Sequence, residues 1–322
     1  MENWKTKPSF LHFGFFWSLN KNLHFEYFHG KLRSKIHDEQ LKAIYNNVEH
    51  AYYEVHRNIV GHRLVWKISD KISITGSELV VYAHKSMELA YLLPFVSFFP
   101  LQGHLGDTDN IIISGEVQYN PSQYCSYYAS ILIDEWSPPY TFKKDNHNWI
   151  GWQVGFNKKS FLLNNSTLNV EYTWTDHRIY RHLFSANNYY SYGYPVGFWG
   201  GPHAQEFYLD YSFNIRRNTI FIKISDAKRG VLTQQMLADQ YDRPDANIPI
   251  INRFNGPVES KQLILLSINR KVTKNTYLSL SYTYVDWQNP GNKYNINTHE
   301  LLIENNDRLI KNSVGMQIIF KY

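Results

Sequence analysis

The chain has one cysteine, Cys125, in 322 residues, which excludes an internal disulfide and a thiolate metal site and leaves the redox compartment unread. It also lacks a long apolar run. The richest stretch, residues 90–101, is broken by Pro94, Ser97 and Pro100 and falls short of the roughly 18 apolar residues of a spanning helix. Charge is scarce at 19% of residues, and the 33 basic and 28 acidic side chains are scattered rather than gathered into an arm, which argues against a nucleic-acid partner. No Gly-x-Ser-x-Gly elbow, His-Glu-x-x-His pair or phosphate loop is present, so no enzyme class is indicated. The sequence calls for no cofactor and no metal. Residues 1–19 place Lys5 and Lys7 before an apolar stretch, but His12 interrupts it and no small-residue cleavage site follows, so it does not read as a signal peptide.

Aromatic residues, by contrast, are abundant: Tyr 25, Phe 19 and Trp 9, or 16% of the chain, a composition that favours strands. Period-two alternation recurs throughout. Val314, Met316, Ile318, Phe320 and Tyr322 oppose Ser313, Gln317 and Lys321. Leu278, Leu280, Tyr282 and Tyr284 oppose Ser279, Ser281 and Thr283, and Phe207, Leu209, Tyr211 and Phe213 oppose Glu206, Asp210 and Ser212. Ionic and amide groups therefore occupy the face that a closed apolar core would need. The pattern predicts thirteen strands, near 10–19, 22–29, 59–68, 72–83, 109–119, 124–135, 149–160, 166–178, 206–215, 219–225, 260–270, 275–287 and 311–322. Their connections alternate between short turns rich in Asn, Ser, Arg or Lys and the longer stretches 30–58, 84–108, 136–148, 179–205, 226–259 and 288–310.

That asymmetry is the one found in outer-membrane barrels, with short periplasmic turns and long external loops, and a soluble β-sandwich has no reason to produce it. The expected fold is all-β: one transmembrane, antiparallel, up-and-down β-barrel domain in the outer membrane of a Gram-negative-type bacterium. If the last strand ends in the periplasm, thirteen strands start the first one outside. Bacterial single-chain barrels have even strand numbers, so about 14 or more strands are expected in the complete protein, with an upstream strand and the export signal missing from residues 1–322. The other reading is a miscounted weak strand, such as 219–225 or one inside 30–58. Within 72–83 the faces exchange: Ile72 and Ile74 share a parity with Glu78, while Leu79 and Val81 take the other. A bulge at Gly76 is the expected cause.

Six segments then carry a family resemblance: His62-Arg63-Leu64-Val65-Trp66, Ser77 to Tyr82, Glu88 to Pro94, Gly106-Asp107-Thr108-Asp109-Asn110, Ile131 to Glu135, and Tyr192 to Gly197 with Gly201-Pro202-His203-Ala204. In this order, from about residue 59 to 213, the chain resembles the Wzi family of capsule-assembly outer-membrane barrels. The resemblance implies a surface protein that binds or anchors extracellular, capsular polysaccharide in a lectin-like way, without turnover. Further N-terminal elements of the family have no counterpart here. Partners expected on this reading are the polysaccharide, outer-membrane lipids and the barrel-assembly machinery acting on the C-terminal aromatic strand. A porin-like channel for small solutes is the alternative.

Parity assigns His12, His24, Glu26, Arg63, Lys67, Asn110, Glu116, Gln118, Asp134, Gln153, Asn157, Asn169, Glu171 and Asp210 to the lumen, where they either bind a solute or form ion pairs that fill the barrel. Candidate ligand-binding residues are Glu78, Glu116, Asp134 and Asp210 on strands, with Glu78 and Asp134 favoured by the family-like segments. Asp107, Asp109 and Asn110 could supply part of a cation site, but an Asx-rich turn explains them better. Tyr192, Tyr194 and Trp199, in a loop rich in glycine, could cover sugar faces or fold over the barrel mouth. His177 and His182 are poorly spaced for one metal and read as surface histidines.

Overall fold

The computed structural model describes residues 10–34, 36, 54–83, 86–136, 138–140, 148–233, 235–236, 252–290, 293–295, 300–303 and 308–320. Thirteen long strands run in chain order: β1 (Leu11–Asn20), β2 (Leu23–Leu32), β3 (Arg57–Lys67), β4 (Ile72–Ala83), β5 (Asn110–Ser122), β6 (Cys125–Glu135), β7 (Trp149–Lys159), β8 (Ser166–Thr175), β9 (Ala204–Ile215), β10 (Asn218–Gly230), β11 (Val258–Lys271), β12 (Thr276–Gln288) and β13 (Leu309–Phe320). Each pairs with its sequence neighbour in one up-and-down sheet, antiparallel throughout. Short turns and long connections alternate as expected, so the long ones gather at one end. Among the described residues β1 and β13 each pair on one edge only. Tyr322 and most of 30–58 beyond β2 lie outside the described residues.

The register carries one face through the whole sheet. Glu26 pairs with Arg63, Arg63 with Ser77, Ser77 with Ser114 and Ser114 with Leu132; further round, Gln153 pairs with Thr173, Thr173 with Glu206 and Glu206 with Ala227. The segment 176–203 lies against this face on β3, β4, β5 and β6 at once, and on β8 and β9. A flat sheet could not meet one segment from so many strands, so this is the inner face. All fourteen residues assigned by parity to the lumen fall on it. The other face carries Leu64, Trp66, Ile74, Val117, Val154, Leu266, Leu280 and Val314, all exposed, the apolar belt a lipid-facing surface requires.

The expected bulge at Gly76 is absent. Pairing runs unbroken from Ile72↔Tyr119 to Val81↔Asn110 and from Arg57↔Ala83 to Lys67↔Ser73, so β4 keeps its alternation and Glu78 lies on the outer face with Ile72 and Ile74. The apparent exchange has another origin: chain covers both faces of β4 near its long-loop end. Leu79 and Val81 turn inward onto Tyr189 and its neighbours, in a cluster with Ile59, Ile112 and Ile179. Val80 and Tyr82 turn outward under Tyr91 and Phe98. Phe98 opens the short helix α1 (Phe98–His104).

Adjacent residues of β11 should report the two faces. Leu266→Arg, on the outer face, should lose roughly 2–4 kcal/mol of folding free energy in bilayers, whereas Ser267→Arg, on the lumen face, should be tolerated. Urea titration in vesicles, followed by heat-modifiable gel migration, measures the difference.

Candidate functional site

Residues 176–203 cover the inner face of β3 to β6 at the long-loop end, and the fastening begins with Arg57. Its side chain is 2% exposed, and its guanidinium donates to the carbonyls of Ala186, Asn188 and Tyr190, the last at 2.6 Å. Three separate nitrogens of the planar fork make these bonds, a spread that the single nitrogen of a lysine does not reproduce. On β6 Asp134, of the same parity as Ser130 and Leu132 on the inner face, faces the same segment, where its carboxylate accepts the Tyr180 N–H. Tyr189 Oη directs its one hydrogen between the carbonyls of Leu79 and Asn110, the latter at 3.1 Å. Asn110 Nδ2 donates to the carbonyl of Arg181 at 3.3 Å. The segment is therefore a plug held by buried polar contacts from four strands.

Two turns shape it. Tyr192 and Gly193 have φ of 54° and 81° and join the short pair Tyr190–Ser191 and Tyr194–Pro195, the two positive φ values a tight hairpin needs. Gly197 lies against the Tyr180 hydroxyl, and any side chain there would overlap it. The hairpin leaves Tyr192 42% and Tyr194 62% exposed, while Tyr180, Tyr189 and Tyr190 are buried.

Below the plug lies a cavity of about 550 Å³. Its roof is Tyr180, Phe198 and Trp199, and its walls include Arg63, Glu116, Gln153, Glu171, Thr173 and Glu206. Trp199 Nε1 donates to Glu206 at 2.7 Å, as does Ser225 Oγ, and Arg229 lies over the Trp199 ring. Glu171 accepts the Tyr128 hydroxyl. Glu116 has no hydrogen-bond partner among the described residues. Arg63 faces Glu26 at 3.7 Å with both half exposed, a pairing that contributes little.

The sequence candidates thus separate. Glu116 and Trp199 meet at the cavity; Tyr192 and Tyr194 form the exposed hairpin above it. Asp134 and Asn110 hold the plug rather than facing open lumen. Asp210 pairs with Lys223 at 3.3 Å on the inner face, away from the cavity. Asp107 accepts from Gln102 Nε2 at 3.1 Å, and Asp109 accepts the Tyr91 hydroxyl at 2.8 Å, as an Asx-rich turn before β5. Glu78 is on the outer face, where it accepts from Ser97 Oγ at 2.7 Å, Phe98 N at 2.6 Å and His62 Nε2 at 2.8 Å. It was a candidate through its family-like segment and the expected bulge at Gly76, and without the bulge its parity with Ile72 and Ile74 keeps it outside. Glu206 was missed as a site residue because its partner Trp199 is seven residues away across a turn.

His177 and His182 are half-buried rather than on the surface. His177 packs on His203, and His203 stacks on Phe254. Arg253 lies over Trp174 and Phe254 and donates to the carbonyls of Thr175 and Ala204 at 2.9 and 2.7 Å. Burial pushes His177 down to about 4 and lowers His203. Burial opposes the charge of Asp176 as well, but its hydrogen bonds from Arg178 outweigh that and hold it below the usual carboxylate range. His203 Nδ1 must donate to the Val231 carbonyl at 2.9 Å, and Nε2 accepts the Phe254 N–H at 3.2 Å. Only the neutral ring can do both.

Two outcomes are expected. Arg57→Met leaves three buried carbonyls without their donor, a loss of about 3 kcal/mol; limited proteolysis should then cut within 176–203 while the sheet survives, and Arg57→Lys should not restore protection. Second, the unfolded chain binds protons on His177 and His203 near 6.5, whereas the folded chain does not until lower pH. Stability from this cluster is complete above 6.5 and is lost as pH falls toward about 4. Melting followed by near-ultraviolet circular dichroism should show that loss, reduced in the double variant His177→Asn/His203→Asn.

No family model and no curated protein matches the chain. Among solved structures it is similar to Wzi, an outer-membrane protein involved in group 1 capsule assembly in Escherichia coli and described as a carbohydrate-binding β-barrel. The TM-score is 0.53 at 14% identity, covering 93% of this chain and 56% of that one. The chain thus spans little more than half the length of that protein. OprD of Pseudomonas aeruginosa aligns at a TM-score of 0.39 and 11% identity, covering 93% and 68%. OmpT of Vibrio cholerae aligns at 0.30 and 10%, covering 94% and 98%; both overlaps are too loose to bear on function. The fold of this chain is that of an outer-membrane β-barrel.

Proposed function

We propose that the protein lies in the outer membrane of a Gram-negative-type bacterium and binds extracellular polysaccharide at its long-loop end, without turning it over. The observation that carries this reading is the anchored aromatic hairpin. Tyr192 and Tyr194 stand exposed on a segment whose backbone is fixed by Arg57 and Asp134. Exposed rings on a rigid support stack on sugar faces with little entropy left to lose. Arg33, held by Glu54 at 2.8 Å, lies 5.7 Å over the Tyr192 ring and helps to fix its orientation. The Wzi likeness supports the same reading at the level of fold.

A channel is the second reading, favoured by the polar cavity under the plug, whose carboxylates would set a field for small solutes. The two are separable in one refolded sample. The double variant Tyr192→Ala/Tyr194→Ala should weaken binding of capsular polysaccharide about tenfold, or ~1.4 kcal/mol, in calorimetric titration, with folding unchanged. Large, stable conductance steps in planar bilayers that polysaccharide fails to block would overturn the binding reading in favour of the channel.

A further inference from the structure

The connection between β4 and β5 leaves the long-loop end and lies down the outer face of the sheet. Phe98 stacks on His62 at 4.2 Å, Tyr91 packs on Tyr82 at 5.1 Å, and Phe95 meets Phe25 at 4.9 Å and Trp17 at 5.8 Å. Phe25 is the third residue of β2 from its short turn, so the segment reaches well down the height of the strands. It covers polar groups on a face that is otherwise apolar: the His62–Glu78 pair at 2.8 Å and the His29–Tyr82 hydrogen bond at 2.6 Å. Its own outward surface is apolar. Leu89 is 75% exposed, Leu93 54%, Phe95 61% and Phe99 62%, and Glu88 is the only carboxylate or ammonium-type charge between residues 86 and 105.

We propose that residues 86–105 are embedded in lipid, as an in-plane segment that continues the apolar belt of the barrel and seals a polar patch from hydrocarbon; this rests on the outer-membrane reading above. The occupant of its outward surface is the acyl chain region of the bilayer. Continuity decides this: Phe95 joins the segment directly to Trp17 and Phe25 of the strand belt. The backbone suits the same environment, because non-strand chain at membrane depth must have its polar groups satisfied by protein. Glu78 takes the Phe98 N–H, the Tyr82 hydroxyl takes the Glu88 N–H at 3.1 Å, and the Pro94 carbonyl meets His62 Nδ1 at 3.0 Å. Pro94 and Pro100 have no N–H to satisfy. In water the same segment would expose four large apolar side chains for no return.

Spin labels test it in the full chain refolded into phospholipid vesicles, with Cys125→Ser as background. Leu93→Cys and Phe99→Cys would carry the label on the segment, Leu280→Cys on the outer strand face and Asp70→Cys at a short turn in water. Oxygen partitions into hydrocarbon, whereas a charged nickel chelate is excluded from it. Labels at 93 and 99 should match 280, with oxygen access several-fold above nickel access, and oppose 70. Water-like values at 93 and 99 beside lipid-like values at 280 would overturn the proposal and leave the barrel standing. Spin–spin broadening at 93 or 99, showing a second copy packed there, would also overturn it. Water-like values at 280 itself would overturn the barrel reading, and this proposal with it.

Discussion

Unbroken antiparallel register is the constraint on which the rest of this structure depends. Side chains alternate along a strand, so a slip of one residue at any ladder would exchange the apolar belt and the polar inner face for every strand beyond it. The irregularities lie near strand ends, at Ser18/Asn20, Tyr119/Ser122 and Ile133/Glu135.

With register fixed, the sheet has different needs at its two ends. Toward the short turns the outer face is bare and apolar and the inner face is polar. Toward the long-loop end both faces of β2 to β5 are covered, by residues 176–203 inside and by 86–105 outside. Each covering brings apolar side chains into contact with the sheet and needs polar groups to hold its irregular backbone. Arg57 and Glu78 supply them in complementary ways, Arg57 as a donor to three carbonyls and Glu78 as an acceptor from Ser97, Phe98 and His62. A charge placed in the sheet therefore has its value set by the loop it meets.

The same division explains what could be read without coordinates. Glu116 and Glu171 were assigned to the lumen from alternation and are there, because β5 and β8 have one wet face and one bare face along most of their length. Glu78 was placed with the lumen candidates through its family-like segment and the expected bulge at Gly76, because above Ser77 the inner face of β4 is apolar and the alternation loses its polar marker. Trp199 was noticed only as part of an aromatic loop. Its bond to Glu206 depends on how residues 200–203 turn back, with Gly201 and His203 at positive φ, and no local pattern in the sequence encodes that pairing.

The sequence by itself determined the strands, their order of short and long connections, and which face of each bare strand is polar. These follow from local propensity and a period of two, which any short window contains. Only the tertiary structure decided that residues 176–203 plug the inner face, that 86–105 lie outside it, and that Glu116 stands open to a cavity while Asp134 and Glu78 hold backbone. Those outcomes depend on contacts between residues as far apart as Arg57 and Tyr190, whose meeting is fixed by the curvature of the whole sheet.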